Sequence, residues 1–92
     1  MIEPYEVFLR AEAIQSLRSI PASARKRISS FIDLLSSDPA LPGDYHITDS
    51  TGRFIEIKIL GSQAITFWAD HAAREIKITE SAALIAPEFL SK

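Results

Sequence analysis

The sequence contains no cysteine, which excludes disulfide bonds and thiolate chemistry and is typical of a reducing compartment. None of its apolar runs approaches the roughly 20 residues that a helix needs to span a bilayer. The first residues, Met1 to Pro4, show neither the basic region nor the apolar stretch of a signal peptide. We therefore expect a cytoplasmic protein with no membrane partner.

An excess of positive charge is also missing. The chain has 10 lysines and arginines against 12 aspartates and glutamates, a formal net charge of −2. Proteins that bind RNA or the ribosome usually carry a basic excess, because neutralised phosphates supply much of their affinity. One local basic cluster is present at Arg25, Lys26 and Arg27. The charge of the whole chain therefore gives no long-range attraction to nucleic acid.

The motifs that bind metals and cofactors are missing as well. The two histidines, His46 and His71, are far apart and have no carboxylates at metal-ligand spacing. The chain has no glycine-rich phosphate loop and no nucleophile elbow. We expect no metal and no cofactor. At 92 residues the chain fits one domain, residues 1–92, with room for a single core.

The first half of the chain has the pattern of one strand and two helices. Residues 5–9 are rich in aromatic and β-branched side chains and have an alternating component, as a short strand does. Apolar residues then recur at helical spacing over 11–19 and again from 22 to about 37. Pro21 separates the two helices, and Asp38-Pro39 ends the second. The result is an αα-hairpin.

The second half has the pattern of consecutive strands. Strands are predicted over 53–60, 63–69 and 74–79, with a shorter candidate over 44–48. Turn residues separate them, notably Gly61-Ser62. Isoleucines alternate with other, mostly polar residues in 53–60 and 74–79, and Ile65 and Phe67 alternate with Ala64, Thr66 and Trp68 in 63–69. We therefore expect the helices to cover one isoleucine-rich face. The predicted fold is α+β: an N-terminal strand, an αα-hairpin and an antiparallel β-meander with the helices on one face.

The last residues, 81–92, are too apolar for a free tail. Leu84, Ile85, Phe89 and Leu90 surround Pro87. We expect this segment to pack either on the sheet edge or in an oligomer interface. In the second case the protein would be a homodimer.

This order of elements resembles the RelE/ParE toxin superfamily from Tyr5 to about Ala83. The resemblance depends on markers of the fold: the opening strand, Leu17 to Pro21, Arg25 to Ile28, Leu34-Leu35 with Asp38-Pro39 and Gly43, and the strand pair around Gly61. It implies a helical hairpin packed on a curved antiparallel sheet. It also implies the toxin of a bacterial toxin–antitoxin or plasmid stabilisation system, neutralised by a small antitoxin. RelE-like members cleave mRNA on the ribosome, whereas ParE-like members poison DNA gyrase.

The sequence departs from the RNA-cleaving members at their functional positions. The family's Gly-x-x-Arg corresponds to Gly61-Ser62-Gln63-Ala64, so the arginine is absent. The tyrosine that often closes the strand corresponds to Phe67, and residues 81–92 contain no tyrosine or histidine. The resemblance therefore favours a ParE-like, target-binding mode or a toxin that has lost its activity.

Strand alternation places a second group of residues on the face opposite the isoleucines: Glu56, Lys58, Thr66, Trp68, Glu75 and Lys77. In a ribonuclease, Lys58 and Lys77 would hold phosphate, Trp68 would stack on a base, and Glu56 or Glu75 would act as a general base. The alternative is that the charged residues form cross-strand ion pairs on a solvated face. Trp68 would then be covered by the C-terminal segment or exposed for a partner.

The remaining candidates lie in turns and at the ends of elements. His71 could act as an acid or base oriented by Asp70, or could simply cap its turn. Arg25, Lys26 and Arg27 would contact nucleic acid or an acidic partner, or form a solvated helix face. Arg53 and Arg74 begin two strands and are expected to pair with Asp49 or Asp70. The catalytic candidates are His71, Lys58, Lys77 and Glu75, and the binding candidates are Trp68, Arg25, Lys26, Arg27, Arg53 and Arg74.

Three hypotheses remain open from the sequence. The first is a toxin-like protein that binds a target such as gyrase and is neutralised by a small antitoxin. The second is a ribosome-dependent mRNA endoribonuclease with a non-standard catalytic set. The third is a non-toxic interaction module on the same scaffold.

Overall fold

A computed structural model describes residues 3–83, which form two helices and five strands. In chain order the elements are β1 (Glu6–Leu9), α1 (Ala11–Arg18), α2 (Ala22–Ser37), β2 (Tyr45–Thr48), β3 (Phe54–Leu60), β4 (Gln63–Asp70) and β5 (Glu75–Ala83). The strand order across the sheet is β1-β5-β4-β3-β2. Strands β2 to β5 form the predicted antiparallel meander, and β1 lies parallel to β5. The predicted α+β fold is confirmed.

Strand β5 extends beyond its predicted end at Thr79. It continues to Ala83, which lies opposite Gln63 at the start of β4. The register shifts between Thr66 and Phe67, as a β-bulge requires. The first residues of the apolar C-terminal segment are therefore part of the sheet. The predicted packing of residues 84–92, and the N-terminal pattern at residues 1–2, lie outside the described residues.

Both helices pack against one side of the sheet, which we call the helix face. The buried core there consists of Ala13, Ile28, Phe31 and Leu35 from the helices and Ile65, Phe67, Ile76 and Ile78 from β4 and β5. The rings of Phe31 and Phe67 meet edge to face with centroids 5.6 Å apart. The helical spacing of 28, 31 and 35 puts one stripe of α2 on this core, as predicted.

The predicted faces of β3 are wrong. Glu56 lies opposite Phe67 and Lys58 opposite Ile65, so both side chains lie on the helix face. Ile57 lies opposite Thr66, and the isoleucines of β3 therefore point to the other side, which we call the outer face. The cause is the two-residue turn between Leu60 and Gln63. That register pairs odd-numbered residues of β3 with even-numbered residues of β4.

The turn between β2 and β3 is closed by the carboxylate of Asp49. Its Oδ1 accepts hydrogen bonds from the Thr51 hydroxyl (2.6 Å), the Thr51 amide (2.9 Å) and the Arg53 amide (3.0 Å). Its Oδ2 lies 3.6 Å from the Arg53 guanidinium, so the predicted Arg53–Asp49 pair is present. The Thr51 hydroxyl, followed by the Arg53 amide, lowers the pKa of Asp49. Asp44 lies at the other end of β2. Its carboxylate accepts a hydrogen bond from the Ile59 amide, and this bond is the main cause that lowers the pKa of Asp44.

The carboxylates of Asp44 and Asp49 make part of the folding stability sensitive to acid. Their pKa values in the folded protein lie below the ordinary value of 3.8. Their contribution to stability is therefore complete above about pH 5 and is lost as the pH falls through the lowered pKa values. We expect urea unfolding to show a loss of stability below about pH 4 that is smaller in the double variant Asp44→Asn/Asp49→Asn. An unchanged pH dependence in that variant would contradict this assignment.

Candidate functional site

The outer face carries a stacked pair of cationic and aromatic side chains. The guanidinium carbon of Arg53 lies 3.9 Å from the ring centroid of Trp68. Lys77 lies opposite Trp68 in the neighbouring strand. Its Nζ is 5.2 Å from the ring of Phe8 and 2.9 Å from a carboxylate oxygen of Glu75. This cluster, Arg53, Trp68, Lys77, Glu75 and Phe8, is named the outer-face cluster.

An apolar area extends from the cluster towards the β3–β4 turn. Ile57 pairs with Thr66, and Ile59 pairs with Ala64, all on the outer face. Tyr45, which sequence reasoning missed, lies opposite Ile57 on the edge strand and is 64% exposed. The face thus combines aromatic, aliphatic and guanidinium groups, the composition that protein interfaces favour at their centres.

The structure does not bring the four catalytic candidates together. Lys77 and Glu75 lie two residues apart on β5 and form an ion pair with each other. Lys58 lies on the opposite face, where its Nζ is 5.7 Å from the ring of Phe31 and 3.5 Å from Asp44. His71 lies in the turn between β4 and β5. General acid–base catalysis requires its groups within hydrogen-bonding reach of one reacting centre.

His71 has a partner that sequence reasoning missed. The Tyr5 hydroxyl is hydrogen-bonded to Nδ1 of His71 at 3.0 Å, and the two rings meet edge to face. Asp70, the expected partner, instead accepts a hydrogen bond from the Ala73 amide. Arg74 does not form the expected pair with Asp70 and donates to the Glu3 carbonyl oxygen. These contacts tie the β4–β5 turn to the segment before β1.

A second candidate surface is a groove of about 890 Å³ between α2 and β3, named the α2 groove. Its lining includes Phe31, Leu34, Leu41, Leu60, Lys26, Arg27 and Lys58. Leu34 is 61% exposed, which is unusual for a leucine beside a core. The loop that forms one wall is held by the Gly43 amide, which donates to Glu56 at 2.9 Å. Lys58 lines this groove, and Glu56 holds the loop that forms its wall, so neither side chain lies on the outer face.

The basic cluster on α2 divides between two surfaces. Lys26 and Arg27 line the α2 groove. Arg25 turns away and donates to the Ile20 carbonyl oxygen at 3.0 Å. Arg25 thereby bridges the chain on both sides of Pro21, whereas its two neighbours remain available to a partner in the groove.

The two positions where the sequence departs from RNA-cleaving RelE proteins lie on different faces. Ala64 faces outwards opposite Ile59. Phe67 is 2% exposed within the core. A hydroxyl at position 67 would point into the core and would not reach the outer face.

Within residues 3–83, no group of three or more histidine and carboxylate side chains is placed to hold a metal ion. The two helices there are too short or too polar to cross a bilayer.

The arrangement of one strand, two helices and four further strands is similar to the fold of solved RelE proteins. A RelE–RelB complex from the archaeon Pyrococcus horikoshii OT3 matches with a TM-score of 0.74 and 19% identity, covering 87% of this chain and 94% of that one. The RelBE2 toxin–antitoxin complex from Mycobacterium tuberculosis matches at 0.73 and 17%, covering 90% and 94%. A free variant of Escherichia coli RelE matches at 0.71 and 11%, covering 96% and 92%. The resemblance to the RelE/ParE superfamily is confirmed at the level of the fold.

No model of a known protein family and no curated protein matches the sequence.

Proposed function

We propose that this protein is the toxin-like member of a bacterial toxin–antitoxin pair and acts by binding a target through its outer face. The Arg53–Trp68 stack on that face is the observation that carries the proposal. Binding requires only a complementary surface, whereas RNA cleavage requires an assembled acid–base set. Lys77 and Glu75 are already paired with each other on β5. Lys58 lies on the opposite face and His71 in a turn, so the four candidates do not form one assembled set, which favours binding.

The outer-face cluster has the chemistry of an interface hot spot. Tryptophan and arginine dominate the binding energy of many interfaces, and here the two side chains already support each other. Arg53 is also fixed from its other side by Asp49, so little side-chain entropy remains to be lost on binding. A protein target such as gyrase fits this surface better than mRNA, because the chain has no basic excess.

The α2 groove is the proposed site of the small antitoxin. The similar solved structures include RelE–RelB complexes, in which a toxin is bound to its antitoxin. The groove combines an apolar floor with the cations Lys26 and Arg27, and Lys58 in its lining is paired with Asp44. An amphipathic antitoxin segment with acidic side chains would match both properties.

The ribonuclease alternative retains one supporting observation. Trp68 and Lys77 lie directly opposite each other on the outer face, where a base would stack on the indole and the ammonium would contact its phosphate. In that case the catalytic acid and base would come from this face, with Glu75 and Tyr45 as candidates, rather than from His71 or Lys58.

Tightly induced expression in a bacterial host tests the proposal. We expect growth arrest with intact mRNA, and relief of that arrest in Trp68→Ala, because the variant loses the centre of the binding surface. Phe54→Ala is the matched control: Phe54 is 65% exposed, lies on the helix face, and its removal should leave arrest unchanged. Circular dichroism of both variants verifies that they fold.

Sequencing of RNA from the arrested cells separates the alternatives. Cuts in mRNA at a fixed codon phase would contradict the target-binding proposal and support the ribonuclease mechanism. Absence of arrest, with the protein folded and expressed, would contradict toxicity and favour a non-toxic interaction module.

A further inference from the structure

Strand β2 is an uncovered edge of the sheet within residues 3–83. It is last in the strand order and pairs only with β3 there. All four of its residues are exposed, with Tyr45 at 64% and Ile47 at 54%. An exposed edge strand is a template for pairing with another strand.

The register identifies which backbone groups of β2 face outwards. The Asp49 amide donates to the Arg53 carbonyl oxygen, which continues the β2–β3 ladder by one pair. Hydrogen-bonded pairs alternate along an antiparallel ladder, so Ile47 and Tyr45 also direct their amide and carbonyl groups to β3. His46 and Thr48 therefore direct theirs to the free side.

Strand β2 lacks the features that usually prevent an edge strand from pairing with another chain. Natural edges carry lysine, proline or inward-pointing charges, whereas Tyr45–Thr48 contains no lysine, arginine, carboxylate or proline. The flanking carboxylates are already engaged: Asp44 binds the Ile59 amide, and Asp49 binds Thr51 and Arg53. An approaching strand would meet little repulsion.

We propose that β2 pairs antiparallel with β2 of a second copy of this chain, which joins the two sheets into one. Side chains that lie directly opposite each other in paired strands share a face of the sheet. A register is therefore allowed only if residues of the outer face lie opposite residues of the outer face. The register centred on Ile47 pairs His46 with Thr48 of the second copy, and Thr48 with its His46. In this register the outward-facing amide and carbonyl groups of His46 and Thr48 all form hydrogen bonds between the two copies. The two Ile47 side chains then meet on the outer face.

The alternative register, centred on His46, pairs Thr48 with Asp44 of the second copy. The Asp44 amide already donates to the Ile57 carbonyl oxygen at 2.8 Å, so this register leaves fewer hydrogen bonds. A second copy therefore fits β2 best about a twofold axis at Ile47. This proposal does not depend on the toxin function.

Sedimentation velocity over a range of protein concentrations tests the pairing. We expect the chain to reach about twice its monomer mass of 10.2 kDa at high concentration. Ile47→Lys should remain monomeric, because two ammonium groups would meet at the axis. Leu34→Lys is the matched control: it adds the same charge at a leucine of similar exposure on α2 and should dimerise like the original chain.

Hydrogen exchange gives a readout that a general loss of folding would not reproduce. The amides of His46 and Thr48 should gain protection as the concentration rises, whereas that of Ile47 should be protected throughout. A chain that stays monomeric at all concentrations would overturn the proposal. So would a dimer that survives Ile47→Lys, which would assign dimerisation to another surface. Protection of the two amides only after an antitoxin is added would assign the edge to that partner and overturn pairing between copies.

Discussion

Replacement of Phe67 by alanine is expected to lower the free energy of unfolding by about 3–5 kcal/mol. Phe67 is 2% exposed and packs edge to face on Phe31, so the change removes a large buried side chain and leaves a cavity between sheet and α2. A chain of this size has a total stability of roughly 5–15 kcal/mol. Urea unfolding followed by fluorescence of Trp68, the single tryptophan, measures the loss.

Phe54→Ala is the matched control, because the same atoms are removed from a side chain that is 65% exposed. Its expected effect is within about 0.5 kcal/mol. Phe67→Leu provides a milder core change if the alanine variant does not fold, with an expected loss of less than about 1.5 kcal/mol. Equal losses in Phe67→Ala and Phe54→Ala would contradict the burial of Phe67 in the core.

The order of the elements could be predicted because each depends on local signals. Pro21 separates the helices, Asp38-Pro39 follows the second, and alternation marks the strands. The pattern of residues 5–9 predicts strand β1 but does not predict its parallel pairing with β5. Glu6 and Glu75 are 69 positions apart, and nothing in either segment encodes that contact locally. The hydrogen bond between Tyr5 and His71 could not be predicted for the same reason, because these residues are also far apart in the sequence.

The error at β3 had a different origin, because the sequence contained the signal that corrects it. Gly61-Ser62 was recognised as a tight turn. A two-residue turn fixes the register, and that register places Ile57 opposite Thr66 rather than beside Ile65. The expectation that isoleucines gather on one face conflicts with this turn geometry, and the turn geometry determines the register. Alternation alone therefore puts Glu56 and Lys58 on the outer face, although Lys58 lines the α2 groove and Glu56 holds the loop of its wall.

The candidate site was predictable only in part for the same reason. Trp68, Glu75 and Lys77 do share the outer face, as predicted. The stack of Arg53 on Trp68 depends on the β3–β4 register and on the Asp49 turn together, so it was not visible in either segment alone. The α2 groove joins side chains from a helix, a loop and a strand, and could be found only from the folded chain.

Replacement of Gly43 by alanine is the second change with a large expected effect. A Cβ atom there would lie 2.6 Å from the Ile57 carbonyl oxygen and 2.9 Å from the Ile57 nitrogen, and neither backbone atom can move without distorting β3. The loop must therefore withdraw, which breaks the hydrogen bonds from Gly43 to Glu56 and from Asp44 to Ile57. We expect a loss of about 2–4 kcal/mol in the free energy of unfolding. Hydrogen exchange at Ile59 should accelerate, because its amide donates to Asp44 at 2.7 Å.

Gly52→Ala distinguishes this steric clash from the ordinary cost of replacing a glycine. Gly52 has a φ of +84° and no atom within 4 Å of its Cβ position, so alanine there meets backbone strain alone, about 1–2 kcal/mol. Its effect should be smaller than that of Gly43→Ala and should leave exchange at Ile59 unchanged. Since the loop also forms a wall of the α2 groove, Gly43→Ala should weaken binding of the proposed antitoxin whereas Gly52→Ala should not. A Gly43→Ala protein with unaltered exchange at Ile59 would show that the loop does not approach β3 as closely as described.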